Sequence, residues 1–237
     1  MKKSISIPVL TVLCTIVLTA CTSTPTSSNT LIVPNTDNSY LMPKGMWKDP
    51  DTGLIWDRCN AGQTWNGTTC VGTAIKVERS DIRDYVRDFT RTGGHKDWRL
   101  PFIGELASLR LCTAGWAKEA KEISELTAQG RVTQEVNTIK TTYIPEDRID
   151  KNYKGVRDSN GQIYIPRRCA DGSSKPTLNT NIFPNTPTEG YYFSFPGDST
   201  FSSTKWNLNL DNGDIGFRNT DFGVPTKGYV RAVRDSE

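Results

Sequence analysis

The stretch DWRLP, residues 97–101, follows Gly93, Gly94 and His95, the single histidine of the chain. Upstream, Ile82, Tyr85, Val86 and Phe89 recur at the spacing of one helical face. Ser80 is placed to cap that helix, and Gly93 or Gly94 to end it, because glycine enters the left-handed region cheaply. Downstream, Ile103, Leu106, Ala107 and Leu109 predict a second helix. Pro101 is expected to open it, and Glu105 falls in the first turn, where the helix dipole favours an acid. DWRLP therefore reads as the junction between two helices. Trp98 is expected to pack inward, and Arg99 to reach an acid or buried carbonyls, since a buried guanidinium must be satisfied.

The flanks read as strands. WKDPDTGLIWDRC, residues 47–59, sets a Pro-Asp-Thr-Gly turn between two short apolar arms, a β-hairpin pattern. Thr73 to Val77 can extend. Trp206, Leu208 and Leu210 alternate with asparagines up to Asp211, Asn212, Gly213 and Asp214, and Ile215 and Phe217 alternate on the way back. That is a strong hairpin signal. GYVRAVR, residues 228–234, reads as a last strand. Residues 113–168 are less regular: a helix is expected from Trp116 to Ala128, then a hairpin turn at Ser159, Asn160 and Gly161 before QIYIP. The fold class that follows is α+β, with two early helices and antiparallel strands around and after them.

Residues 1–20 carry Lys2 and Lys3, an uncharged apolar run from Ile5 to Leu18, and then Leu18-Thr19-Ala20 before Cys21. The run is too short to span a bilayer, which needs about 20 apolar residues. It has the form of a lipoprotein signal peptide, with Cys21 as the residue that is cut free and acylated, palmitate included. Thr22 leaves outer-membrane sorting open. Residues 21–38 are rich in Ser, Thr, Asn and Pro and read as a tether, leaving residues 39–237 as one domain with an insertion at about 113–168.

Of the six cysteines, Cys14 leaves with the signal and Cys21 takes the lipid. The remaining four, Cys59, Cys70, Cys112 and Cys169, favour two disulfides in an exported domain. Cys59 and Cys70 bracket a loop whose Asn66-Gly67 supplies a turn, so they form the local pair. Cys112 with Cys169 follows by elimination. Their spacings include no CxxC, which argues against zinc. The net charge of +3 falls to +1 once Lys2 and Lys3 are removed with the signal, so no basic excess points to nucleic acid.

Little in the chain suggests catalysis. The lone DTG, at 51–53, lacks the second copy that an aspartic protease dyad needs and is explained as a turn. His95, among glycines and charges, reads as a solvated histidine. No G-x-S-x-G, P-loop or HExxH occurs. Asp198, Asp211 and Asp214 offer oxygen ligands for calcium, but a tight turn accounts for Asp211 and Asp214 without an ion. No metal or cofactor is expected.

The order of these signals, DTGLIW, a cysteine pair, a helix, GG-x-x-DWRLP, E-L-x-x-L, N-x-x-x-FP, W-x-x-x-x-x-NG and a terminal YVRAVR, resembles a known bacterial domain family. That family is typified by the C-terminal domain of the Legionella collagen-like adhesin. The resemblance covers roughly residues 47–234, apart from the insertion. It implies a C-type-lectin-like fold of the variety also seen in formylglycine-generating enzymes, displayed outside the cytoplasm, and a binding module whose namesake binds sulfated glycans. Where members carry a YW-S-S type segment, this chain has YYFSFPGDS from Tyr191.

The resemblance moves the expected ligand surface to residues 190–228, with Tyr191, Tyr192, Trp206, Arg218, Asn219 and Lys227 as candidate contacts. Aromatic faces stack on sugars or peptides, and cations grip acidic groups. Trp206 and Tyr229 also fit core positions. The expected function is non-catalytic, adhesin-like recognition of a glycan or protein by a lipid-anchored envelope module, with membrane contact through the anchor alone and a homo-oligomer compatible with related domains. The alternative is a periplasmic structural or assembly lipoprotein that docks on an envelope or secretion complex.

Overall fold

The computed structural model describes residues 37–90, 92–127, 130–139, 141–144, 156–157, 160–195, 204–219 and 226–236. Cys21 and the whole expected signal peptide lie outside the described residues, as does Asp198. All described residues belong to one unit, Pro34–Glu237. Among them, no helix is long and apolar enough to cross a membrane.

In chain order the elements are α1 (Asn38–Leu41), β1 (Met46–Lys48), β2 (Ile55–Asp57), β3 (Thr64–Trp65), β4 (Cys70–Val71), β5 (Val77–Glu78), α2 (Ile82–Phe89) and α3 (Ile103–Ser108). Then come β6 (Lys118–Thr127), β7 (Gly130–Ile139), β8 (Thr141–Ile144), β9 (Val156–Arg157) and β10 (Ile163–Pro166). The last are β11 (Tyr191–Phe193), β12 (Thr204–Asn209), β13 (Asp214–Asn219), β14 (Lys227–Gly228) and β15 (Val233–Arg234). All strand pairs are antiparallel. The protein is thus α+β, with short helices, antiparallel strands and two disulfides.

The central sheet has the order β1-β2-β15, so the last strand lies beside the second. All three residues of β2 are buried. The expected hairpins form: β1 with β2 across the Asp51-Thr52-Gly53 turn, β3 with β4 across Asn66-Gly67, β9 with β10, and β12 with β13. In the last, Asn209 and Asn212 side chains accept from the Asp211 and Asp214 N–H groups at 2.8 and 2.9 Å, which fixes the turn locally. Gly213 takes φ +69, and a Cβ there would lie 2.6 Å from the Cys169 sulfur, so both backbone conformation and space require glycine.

Two apolar clusters fill the interior. One gathers Trp56, Ile103, Leu106, Phe183, Tyr192, Trp206 and Leu208; the other gathers Met46, Ile55, Val86, Trp98, Leu100 and Phe193. DWRLP joins them: the side chains of Trp98 and Leu100 enter the second cluster, while the Arg99 backbone exchanges hydrogen bonds with Val233 at 2.8 and 3.0 Å.

Several local readings are corrected. Residues 118–127 form a strand, not a helix: β6 pairs residue for residue with β7 from Lys118↔Ile139 to Thr127↔Gly130. The Lys, Glu and Ala content suits a helix, but the ladder with β7 overrides that propensity. Asp81, not Ser80, holds the N-cap of α2, and Ser80 instead donates to the Asp81 carboxylate at 2.6 Å. α2 closes at Phe89, with Gly93 and Gly94 following in a separate 3-10 turn. Pro101 stands two residues before α3, with Phe102 at the N-cap, and its carbonyl accepts from the Phe195 N–H at 2.7 Å. At the N-terminal boundary, Asn38 already pairs with the Lys48 backbone at 2.8 and 2.7 Å, so the expected tether ends in ordered structure.

Candidate functional site

The residues expected at a ligand face are only partly together. Tyr191 is half-buried on β11, and its carbonyl accepts from the Tyr229 N–H at 2.8 Å, which brings it beside the chain leaving β14. Lys227, exposed on β14, pairs with Glu78 at 3.1 Å. Tyr192 and Trp206 are 1% and 5% exposed and offer no ring face to solvent; burial raises the Tyr192 pKa against the pull of the Arg231 guanidinium. Arg218 and Asn219 lie on β13, but their side chains fall outside the described residues. Asp211 and Asp214 pair instead with Lys175 at 2.8 Å and Arg167 at 3.3 Å. Among the described residues, no three acids, histidines or cysteines group as metal ligands.

A seam of arginines is built on DWRLP and the last strand. Arg99 grips Glu105 with two bonds of 2.9 and 2.8 Å and reaches Asp235 at 2.8 Å. Glu105, 2% exposed, also accepts from the Phe102 N–H at 2.7 Å, so one carboxylate caps α3 and holds the arginine. Arg234 bonds both Asp97 oxygens, at 3.1 and 2.9 Å. Burial alone would raise the Asp97 pKa, but the Arg234 bonds and charge, with His95 nearby, hold it below the usual carboxylate range.

Arg231 is 1% exposed and is fully engaged, donating to the carbonyls of Asp57 and Arg58 and to the side chains of Asn60 and Thr186. These acceptors are all neutral, and burial pulls the Arg231 pKa down. The Asp57 carboxylate, at the end of β2, opposes that fall through its charge.

Asp57 opens onto a cavity of about 310 Å3 between the Cys59–Cys70 loop, the end of α2 and the 230–232 segment. Its lining includes Lys44, Asn60, Gln63, Thr64, Trp65, Tyr85 and Thr92. The Cys59 N–H and the Thr92 hydroxyl donate to the two Asp57 oxygens at 2.9 and 2.8 Å. Even so, the loss of water dominates: burial raises the Asp57 pKa to about 6, against the pull of Cys59, Thr92 and Arg231. Asn60 donates to Gln63 at 2.9 Å, and Gln63 to the Asn185 carbonyl at 3.0 Å, so the amides of the wall are tied down. Gly93 takes φ +66, and a Cβ there would collide with Met46, which keeps this edge backbone-thin.

With this geometry in view, the comparison that matters is with the profile of the Lcl C-terminal domain, which matches residues 45–234. The chain belongs to the Lcl C-terminal domain family. No curated protein and no solved structure gives a match. The Lcl C-terminal domain match takes in the central sheet, the arginine seam, both disulfides and all of the cavity lining except Lys44. It makes this region an adhesin-associated module.

Within that Lcl C-terminal domain, sequence reasoning finds Trp98, Arg99 and the four cysteines but misses Asp57, Thr92 and the rest of the cavity. One signal was present for Asp57: an acid in IWDRC, within an apolar strand and two residues before a bridged cysteine. Thr92 carries no such signal, because it meets Asp57 only through the fold.

Proposed function

We propose that the protein is a lipid-anchored binding module of the bacterial cell envelope that recognises a glycan or protein ligand by surface contact, without chemistry. The observation that carries this reading is the family match across residues 45–234. In this reading Cys21 bears the acyl chains, residues 22–36 are the tether, and the domain has the C-type-lectin-like fold implied by its motif order. The outer membrane is the proposed site, and a homo-oligomer is compatible with it. The two bridged cysteine pairs agree with an oxidising compartment and leave no unbridged cysteine among the described residues. The near-neutral charge of the mature chain gives no reason to include nucleic acid.

Three measurements test it. Labelled palmitate is expected in the wild type and lost in Cys21→Ala. Protease added to intact cells is expected to cut the protein; an uncut protein would turn the reading towards a periplasmic assembly lipoprotein. A glycan array on the purified protein, with and without chelator and at two salt concentrations, separates calcium dependence from attraction to anionic sugars.

A further inference from the structure

The cavity beside the Cys59–Cys70 disulfide has a size within the range of small-molecule sites, which begins at about 300 Å3. Asp57, Trp65 and Tyr85 are among its lining residues, and the Arg58 guanidinium covers one face of the Trp65 ring at 4.1 Å, leaving the other for a ligand. Asp57 is 7% exposed, and each of its oxygens accepts one hydrogen bond from the protein, from the Cys59 N–H and the Thr92 hydroxyl. A carboxylate oxygen accepts two, so each retains capacity for a donor arriving from the cavity. The wall amides of Asn60 and Gln63 are committed to each other, to Arg231 and to Asn185, and Asp57 is the lining carboxylate that keeps accepting capacity.

Charge narrows what can enter. Arg231 stands behind Asp57, its Nη1 3.0 Å from the Asp57 carbonyl, and Lys44 lies at the rim. A cationic ligand would meet two like charges, and a sulfated or carboxylated one would meet the buried carboxylate. A neutral group that brings two donors meets neither penalty, and an aromatic wall suits a ligand with an apolar face.

We propose that this cavity binds a neutral pyranose, with adjacent ring hydroxyls donating to the two Asp57 oxygens and the C–H face lying against the Trp65 and Tyr85 wall. The site rests on the binding-module reading but concerns one sugar ring, not a whole partner. Anionic substituents are excluded beside Asp57.

Saturation-transfer NMR on the purified full chain tests this, using the methyl glycosides of glucose, mannose, galactose and N-acetylglucosamine at millimolar concentration. At least one glycoside is expected to receive saturation, and a heparin oligosaccharide is expected not to displace it. Asp57→Asn turns one acceptor into a donor and should weaken binding about tenfold. Thr64→Trp, at an exposed rim position away from the core, should block the mouth and abolish the signal even if Asp57→Asn disturbs folding. The proposal is overturned if no glycoside receives saturation, if both variants bind as the wild type does, or if heparin competes. Silent glycosides on a protein still cut by protease on intact cells would sink the sugar site alone. Glycoside binding by a protein uncut on cells would sink the surface reading alone.

Discussion

The arginine seam and the β6–β7 ribbon belong to the same domain and are held by opposite means. In the seam, Arg99 and Asp97 join Asp235 and Arg234, far away in sequence, while Arg99 also holds the nearby Glu105, and Glu105 and Arg234 are buried. In the ribbon, ten consecutive backbone pairs join neighbours in sequence; Lys118, Glu122, Glu135 and Asn137 are exposed, and Val136 and Thr138 are half-buried. A ladder needs only a partner strand to form, whereas a buried charge needs a whole fold to arrange its counter-charge. Damage should therefore spread from the seam and stay local in the ribbon.

The largest effect is expected from Arg99→Ala, which strands the Glu105 carboxylate in the interior. Breaking a buried pair costs about 3–5 kcal/mol, read as a fall in the urea midpoint. Adding Glu105→Gln should restore part of the loss, because it removes the orphaned charge. Unchanged stability in Arg99→Ala would erase the contrast.

Next comes the Cys112–Cys169 disulfide, which ties the two ends of the insertion across 57 residues. Replacing both cysteines by serine should cost about 4 kcal/mol by chain entropy. Hydrogen exchange should rise around Trp116 and β10 before it rises in the central sheet.

The third test concerns Asp57. Its folded pKa of about 6 lies above the unfolded value, so the folded state binds the proton more tightly. The Asp57 contribution to stability should be full below about pH 4, decline as pH rises towards 6, and stay reduced above it. The shift corresponds to about 3 kcal/mol. Asp57→Asn should flatten this slope and unfold at higher urea than the wild type at pH 7, with the difference fading by pH 4. A wild type whose stability rises from pH 4 to 6 would show that the charge is better compensated than its burial implies.

The smallest effect should come from replacing residues 119–138 with a short Gly-Asn-Gly turn between Lys118 and Ile139, which already face each other. Because none of the ribbon's described side chains is buried, a change of about 1 kcal/mol or less is expected by thermal melting. A larger loss would mean that the ribbon contributes to the core.

The same contrast explains what could be read from the sequence. The hairpins were legible because Asp51-Thr52-Gly53, Asn66-Gly67 and Asp211–Asp214 carry their own turn chemistry, and α3 because Glu105 and its apolar spacing act within one turn. Arg99 could be assigned an acidic partner, though not which acid, since Asp235 lies 136 residues away. Residues 118–127 were misread because propensity points to a helix and the opposing strand lies beyond a local window. The candidate face is only partly legible: alternation places Trp206 on a strand and fits it to the core, whereas nothing local says that Tyr192 is shut inside. Asp57 escaped notice because its chemistry comes from neighbours at positions 92 and 231.

The order β1-β2-β15 also sets a timetable. Residues 55–57, buried on both flanks, gain their second neighbour only when residues 233–234 arrive, and Arg231 fills its place against Asp57 and Asn60 at the same moment. A ribosome therefore releases almost the entire domain before its centre can close, and until then Ile55 and Trp56 lie open on one side. Closure of this domain waits for residues 231–234, and any handling it needs before then falls on a chain that is still unlocked.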